Sequence, residues 1–340
     1  MDRHVNIPIF IPHLGCPNDC VFCNQRFISG VTEFDIGSVK RIIDESLATV
    51  DPRKDTVEIA FFGGSFTGID RHLMISLLEI AYSYVSSGAV SSIRCSTRPD
   101  YIDDEILEIL KHYKVTTIEL GFQSVSERVL SASKRGHGFS DEERAARLIV
   151  DGGFELVGQM MIGLPSATLE DEIQTARFIS SCGASAARIY PTVVFHSTEL
   201  KNMTERREYK PLSLAEAVER CAKAYLILEE AGVRVIRVGL HSSENLSQDT
   251  TYFAGPNHPA IGELVENRLF FEKIKSKFIE LSIKSKSITV YVPRGAISKA
   301  QGHKRQNKLQ LIEEFALDRL CFKESDSLSG RNIFVVEEGN

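Results

Sequence analysis

Short runs of β-branched and aromatic residues alternate with longer segments of helical period, and this alternation limits the fold more than any other feature of the sequence. Residues 5–11, 57–62, 92–96, 115–121, 154–162, 186–192 and 233–240 read as strands. Between them, 36–50, 72–86, 103–112, 169–181 and 214–231 carry a helical repeat. Strands separated by helices cannot pair as hairpins, so the chain is expected to be α/β with a parallel sheet. Six or seven such units fit a partial (βα)6-type TIM-like barrel. A doubly wound sheet is the alternative, since periodicity does not distinguish a curled sheet from an open one.

Past about residue 240 the rhythm changes. Residues 240–257 are rich in Ser, Asn and Gly and read as a loop, followed by a helix over 261–283. A strand at 287–292, two short helices around Gly302 and strands at 317–322 and 332–336 complete a small C-terminal α+β appendage. The expected division is therefore 1–240 for the barrel and 241–340 for linker and appendage.

With 340 residues, 43% of them hydrophobic, the chain can bury a large core without covalent staples. Its 7 cysteines fit no secreted disulfide framework, because three crowd into 16–23 while Cys95, Cys182, Cys221 and Cys321 are scattered. No apolar run approaches the roughly 20 residues of a membrane helix, and Met1-Asp2-Arg3-His4 opens no signal peptide. A cytoplasmic protein with no membrane partner is expected.

Cys16-Pro17-Asn18-Asp19-Cys20-Val21-Phe22-Cys23 follows the first strand and lets three thiolates converge from one loop. Three thiolates leave one iron of a 4Fe-4S cluster without a protein ligand, and a chelating molecule can dock there. A zinc site completed by His13 or His4 is the alternative, because structural zinc takes four ligands. Gly63-Gly64 and Gly163 place sharp turns directly after strands, at the sheet edge where α/β folds carry their chemistry.

The cysteine spacing, with an aromatic residue before Cys23, resembles the radical S-adenosylmethionine superfamily. Within it the chain is most similar to the radical domain of the Elongator catalytic subunit, with oxygen-independent coproporphyrinogen oxidase more distant. The matching strings run in order: Gly63-Gly64-Ser65-Phe66-Thr67, Thr97-Arg98-Pro99-Asp100-Tyr101, Ile118 to Ser124, Lys134-Arg135-Gly136-His137, Met160 to Pro165 and Arg188 to Thr192. The resemblance implies a 4Fe-4S cluster on Cys16, Cys20 and Cys23, S-adenosylmethionine as second cofactor and an external electron donor. It implies that Gly63, Gly64 and Ser65 receive the methionine amino group. Phe22 and the strand around Ile162 would flank the adenine, Gln123 and Gln159 would reach the ribose or methionine part, and Arg135 and Arg188 would meet the methionine carboxylate. Reductive cleavage to a 5'-deoxyadenosyl radical is the implied activity, with RNA, tRNA above all, as implied substrate. No side chain is singled out as a catalytic acid, base or nucleophile.

Departures from that family limit the carry-over. Cys16 and Cys20 are closer together than the corresponding pair, Ser96 stands where an acid precedes the Thr-Arg-Pro string, and the chain has no room for an acetyltransferase domain. Two alternatives therefore stand beside RNA modification: radical chemistry on a small molecule such as a tetrapyrrole, and a metal-containing RNA-binding module without turnover.

Charge adds one independent observation. Residues 271–310 hold ten Lys/Arg against two acids, although the whole chain is at −6. That basic stretch, with Gly302-His303-Lys304-Arg305 at its centre, weakly resembles a KH-type RNA-binding unit, with Arg305 where a second glycine belongs. RNA contact through Lys304 and Arg305 is one expectation and a structural cap on the barrel is the other.

Overall fold

The structure, a computed structural model, describes residues 3–11, 15–16, 20–23, 34–51, 54–240 and 251–338. Strands β1 (Arg3–Ile11), β2 (Asp55–Gly63), β3 (Ser92–Thr97), β4 (Val115–Gln123), β5 (Glu155–Ile162), β6 (Ala186–Pro191) and β8 (Arg234–Val238) form one seven-stranded sheet in that order. Every neighbouring pair in it is parallel. The sheet curls as a half-barrel with β1 and β8 at its edges, which is the partial TIM-like barrel and not a doubly wound sheet.

Helices α1 (Gly37–Leu47), α2 (Arg71–Ser86), α3 (Asp104–His112), α4 (Glu127–Ala132), α5 (Phe139–Asp151), α6 (Leu169–Ser181), α7 (Glu199–Glu205) and α8 (Leu214–Glu230) lie between the strands. Their starts are written in the sequence. Asp70 and Asp103 cap α2 and α3 by accepting the N–H of Leu73 and Ile106 at 3.0 and 2.8 Å. Thr168 with Asp171 and Ser213 with Glu216 close reciprocal capping boxes at α6 and α8. The apolar faces of α1, α2, α3, α5, α6 and α8 and alternate strand residues, such as Ile118, Leu120 and Phe122 of β4, share one core, while Leu200 of α7 packs in a smaller cluster with Val21, Val194 and Tyr209.

A 240–257 loop is only part of what forms. Tyr252–Ala254 (β9) pairs antiparallel with Val194–Phe195 (β7), while 241–250 lie outside the described residues. Runs of two or three residues carry no period to read, and their pairing depends on a partner distant in sequence.

The appendage begins with α9 (Ile261–Leu281), whose Val265 and Leu269 join the barrel core. Its Phe270, Phe271, Ile274 and Phe278 belong to a second core with β10 (Ser287–Pro293), α10 (Ile297–Gln301), α11 (Gln306–Glu314), β11 (Arg319–Ser325) and β12 (Phe334–Glu337). These strands are ordered β11-β10-β12, with β10 parallel to β11 and antiparallel to β12. Arg331 ties this unit to the barrel by an ion pair with Glu229 and by lying over the Tyr225 ring, and to α9 by an ion pair with Glu266. No helix among the described residues is long and apolar enough to cross a membrane.

Candidate functional site

The carboxyl edge of the sheet gathers the loops after β1, β2, β3 and β4, and backbone contacts hold the cysteine loop among them. Gly15 presses so closely on the Ser65 carbonyl that an added Cβ would stand 2.2 Å from it. Gly63 adopts φ +116, a region open to glycine, and its neighbour Gly64 donates to the Ile11 carbonyl at 3.1 Å. On the other side of the loop, the Val21 N–H donates to the Ser133 carbonyl at 3.2 Å, and the Leu200 N–H to the Val21 carbonyl at 2.8 Å. The loop is thus pinned to the turns after β2 and α4 and to the start of α7.

Hydroxyls connect the next two turns. Ser65 and Thr67 both meet the Thr97 hydroxyl, at 2.8 and 2.6 Å, and Ser65 Oγ accepts the Arg98 N–H at 3.2 Å. Cys20 is buried, and Cys16 and Cys23 are half-buried. Burial pushes the Cys16 thiol up, while the Ser65 backbone and the charges of Arg98 and Arg135 pull it down. Arg135 Nη1 lies 3.4 Å from Cys20 Sγ, and its Nη2 donates to the Gly121 carbonyl at 2.8 Å. Among the described residues no three His, Cys, Asp or Glu side chains are gathered as a metal-holding group.

Three buried polar atoms beside this loop lack partners among the described residues: Arg98 Nη1, Arg135 Nε and Gln123 Oε1. A buried polar atom is ordinarily satisfied, so such atoms mark where a ligand completes a site. Gln123 sits at a break in register between β4 and β5 and takes φ +68, a bulge that re-aims its side chain.

The other candidates, Phe22 of the loop itself included, have different surroundings. Gln159 and Arg188 turn toward Glu119, whose two oxygens accept Gln159 Nε2 at 2.8 Å and Arg188 Nε and Nη2 at 2.8 and 2.9 Å. Arg188 also stands over the Phe62 ring. Ile162 is fully buried in the main core. Phe22 packs beside Val21, Val194, Leu200 and Tyr209. His4 is committed to Glu58 at 2.7 Å at the start of β1, roughly 23 Å of strand from the cysteine loop, which removes it as a zinc ligand; His13 lies outside the described residues. His258 Nδ1 accepts the Ala260 N–H and closes a turn.

Sequence reasoning gave no role to Glu119, and it met Arg98, Asp100 and His137 within matching strings without assigning them one. Arg98 grips Asp100 with two bonds of 2.9 and 2.8 Å; His137 approaches Asp100 at 3.5 Å and Glu142 at 3.4 Å. Burial drives the Glu142 carboxyl up to about 7, with His137 and Arg135 opposing. Asp100 goes the other way: burial alone would raise it, but His137 and Arg98 hold it well below the usual carboxylate range. The available signal was the Arg98-Pro99-Asp100 spacing, in which an acid two residues after an arginine can fold back on it.

Residues 10–179 match the model of the Radical SAM superfamily, and 184–270 that of the Radical_SAM C-terminal domain. A tRNA uridine(34) acetyltransferase of Methanocaldococcus jannaschii is 25% identical over 314 residues, covering 86% of this chain and 54% of that protein. Elongator complex protein 3 of Homo sapiens is 30% identical over 214 residues, covering 57% of this chain and 39% of that protein. The chain spans about half of the first relative's length and less of the second's. The structure of archaeal Methanocaldococcus infernus Elp3 with an N-terminal deletion shares the fold, with TM-score 0.63 at 21% identity over 82% of this chain and 64% of that one.

Proposed function

The chain belongs to the Radical SAM superfamily, and from that premise we propose that it is a radical enzyme that modifies RNA, with tRNA as the substrate class. The residues fit the cofactors this requires. One loop offers three thiols, Gly15 and Gly63 admit backbone where a side chain would collide, and partnerless Arg98, Arg135 and Gln123 atoms stand beside it. Cys16, Cys20 and Cys23 would hold a 4Fe-4S cluster once the loop draws its thiols together. When bound, the cluster supplies the electron that splits S-adenosylmethionine into methionine and a 5'-deoxyadenosyl radical.

The chain's own residues bind and orient. The Gly63-Gly64-Ser65 turn brings backbone to an amino group, and the Arg135 fork suits a carboxylate. Arg188 is engaged by Glu119, so within this reading it braces the barrel interior while Arg135 faces the methionine end. Phe22 offers an apolar surface for a purine. An external donor would deliver the electron.

The observation that carries the reading is the seating of the cysteine loop on the carboxyl edge, with the Arg135 guanidinium against Cys20. RNA rests on the exposed turn of His303, Lys304 and Arg305 and on the tRNA named in the first relative. Anaerobic reconstitution followed by turnover with total RNA tests both parts. Wild type should form 5'-deoxyadenosine, faster with tRNA, and yield a nucleoside of altered mass; Cys20→Ala should lose cluster and product together. A colourless zinc protein, or cleavage indifferent to RNA, would count against the enzyme and the substrate respectively.

A further inference from the structure

Arg98 is a buried cation that the proposed function leaves without a task. Its side chain is 5% exposed, it holds Asp100 through two bonds, and its Nη2 also donates to the Arg135 carbonyl at 2.5 Å. Asp100 is backed by His137, and His137 by Glu142, both of whose side chains are 0% exposed. A guanidinium held by a bidentate carboxylate and by a backbone carbonyl cannot swing away, so its charge is fixed in place. Arg98 stands beside the cysteine loop: its N–H donates to Ser65 Oγ at 3.2 Å, the Ser65 carbonyl presses on Gly15 next to Cys16, and Arg135, whose carbonyl it holds, sets its own guanidinium 3.4 Å from Cys20 Sγ. Asp100 is the more solvated partner, with 25% of its side chain exposed, so water screens the carboxylate more than the guanidinium.

We propose that Arg98 is a positioning residue that fixes a positive charge beside the cluster-bearing cysteines and thereby makes the cluster easier to reduce. This deepens the proposed function and rests on it. An added electron increases the negative charge of a cluster, and a fixed cation in a poorly solvated site favours the more negative state in proportion. Asp100 acts through Arg98: it holds the guanidinium in place and partly cancels its charge.

Wild type, Arg98→Gln, Arg98→Lys and Asp100→Asn would be reconstituted anaerobically, assayed for iron and sulfide, and titrated redox-metrically with electron paramagnetic resonance. Arg98→Gln should keep its iron and shift the midpoint to more negative potential, cutting the reduced-to-oxidised ratio at the wild-type midpoint about tenfold, or about 59 mV for one electron. Arg98→Lys should recover part of that shift. Asp100→Asn, which removes a negative charge, should move the midpoint the opposite way. A purely structural role predicts no such opposition of sign. Unchanged potentials in iron-replete Arg98→Gln, or shifts of the same sign in Arg98→Gln and Asp100→Asn, would overturn the proposal. Should Arg98→Gln fail to hold iron, the direction in Asp100→Asn decides. A wild-type protein that takes up no cluster would instead refute the enzyme reading before any variant is measured.

Discussion

Glu119 is 1% exposed on a strand whose neighbours are Ile118 and Leu120, and its carboxylate survives there only because other strands supply its donors. Arg94 from β3 and Arg188 and Gln159 from β6 and β5 meet it at 2.8 to 3.0 Å, and Arg94 continues to Glu58 on β2. Removing one member strands the rest, so Glu119→Ala should cost about 3–5 kcal/mol in urea unfolding. A loss below about 1 kcal/mol would mean that water reaches the guanidiniums. None of this was legible in sequence, where an acid inside an apolar run reads as a single exception and its partners stand 25 to 69 residues away. Glu142 gives the second residue-scale prediction. Its carboxyl titrates near 7 in the native state against an ordinary 4.5, so the native state keeps a proton that the unfolded chain releases. Its contribution is therefore complete below about pH 4.5 and is lost as pH rises through about 7, with Glu172, also near 7, acting in the same direction. Thermal melts of Glu142→Gln should fall less than wild type between about pH 5 and about pH 8. Equal slopes would show that the acid is already ionised.

Among the elements, the strands of the barrel were readable because runs of five or more residues rich in β-branched and aromatic side chains announce themselves, whereas β7 and β9, of two and three residues, were too short to show a pattern. The cysteine loop was readable in composition but not in its attachment, since that depends on the carbonyls of Ser65 and Ser133 and the N–H of Leu200, all distant in sequence. Close contact between layers also hides in single residues. Gly158 of β5 lies under Ile179 of α6 so tightly that an added Cβ would come within 2.8 Å of a methyl of a side chain with no exposed surface. A stiff, enclosed isoleucine cannot step aside, and Gly158→Ala should lose about 1–3 kcal/mol by overpacking, measured by chemical denaturation. Stability equal to wild type would mean that α6 can slide outward.

At the scale of the whole molecule, the basic excess of 271–310 settles on the appendage, at the far end of the chain from the cysteine loop. The turn between α10 and α11 exposes His303, Lys304 and Arg305, and Lys304 and Arg305 hold left-handed conformations at φ 50 and 63. A glycine was expected at the second of these positions; the backbone there is the one glycine would favour, with a cation attached. If this turn meets RNA phosphates, Lys304→Ala with Arg305→Ala should weaken tRNA binding and flatten the logarithmic salt dependence by about 2. An unaltered slope would leave the appendage as a cap on the barrel.

Helix α9 serves two cores in succession, giving Val265 and Leu269 to one and Phe270, Phe271, Ile274 and Phe278 to the other. Shortening the protein to its first 260 residues would lay bare greasy surface on the barrel, and severing it within 261–281 would do so on both fragments. Solubility is therefore owned jointly. An ancestor that parted with the tail would have had to repaint the wall it left behind.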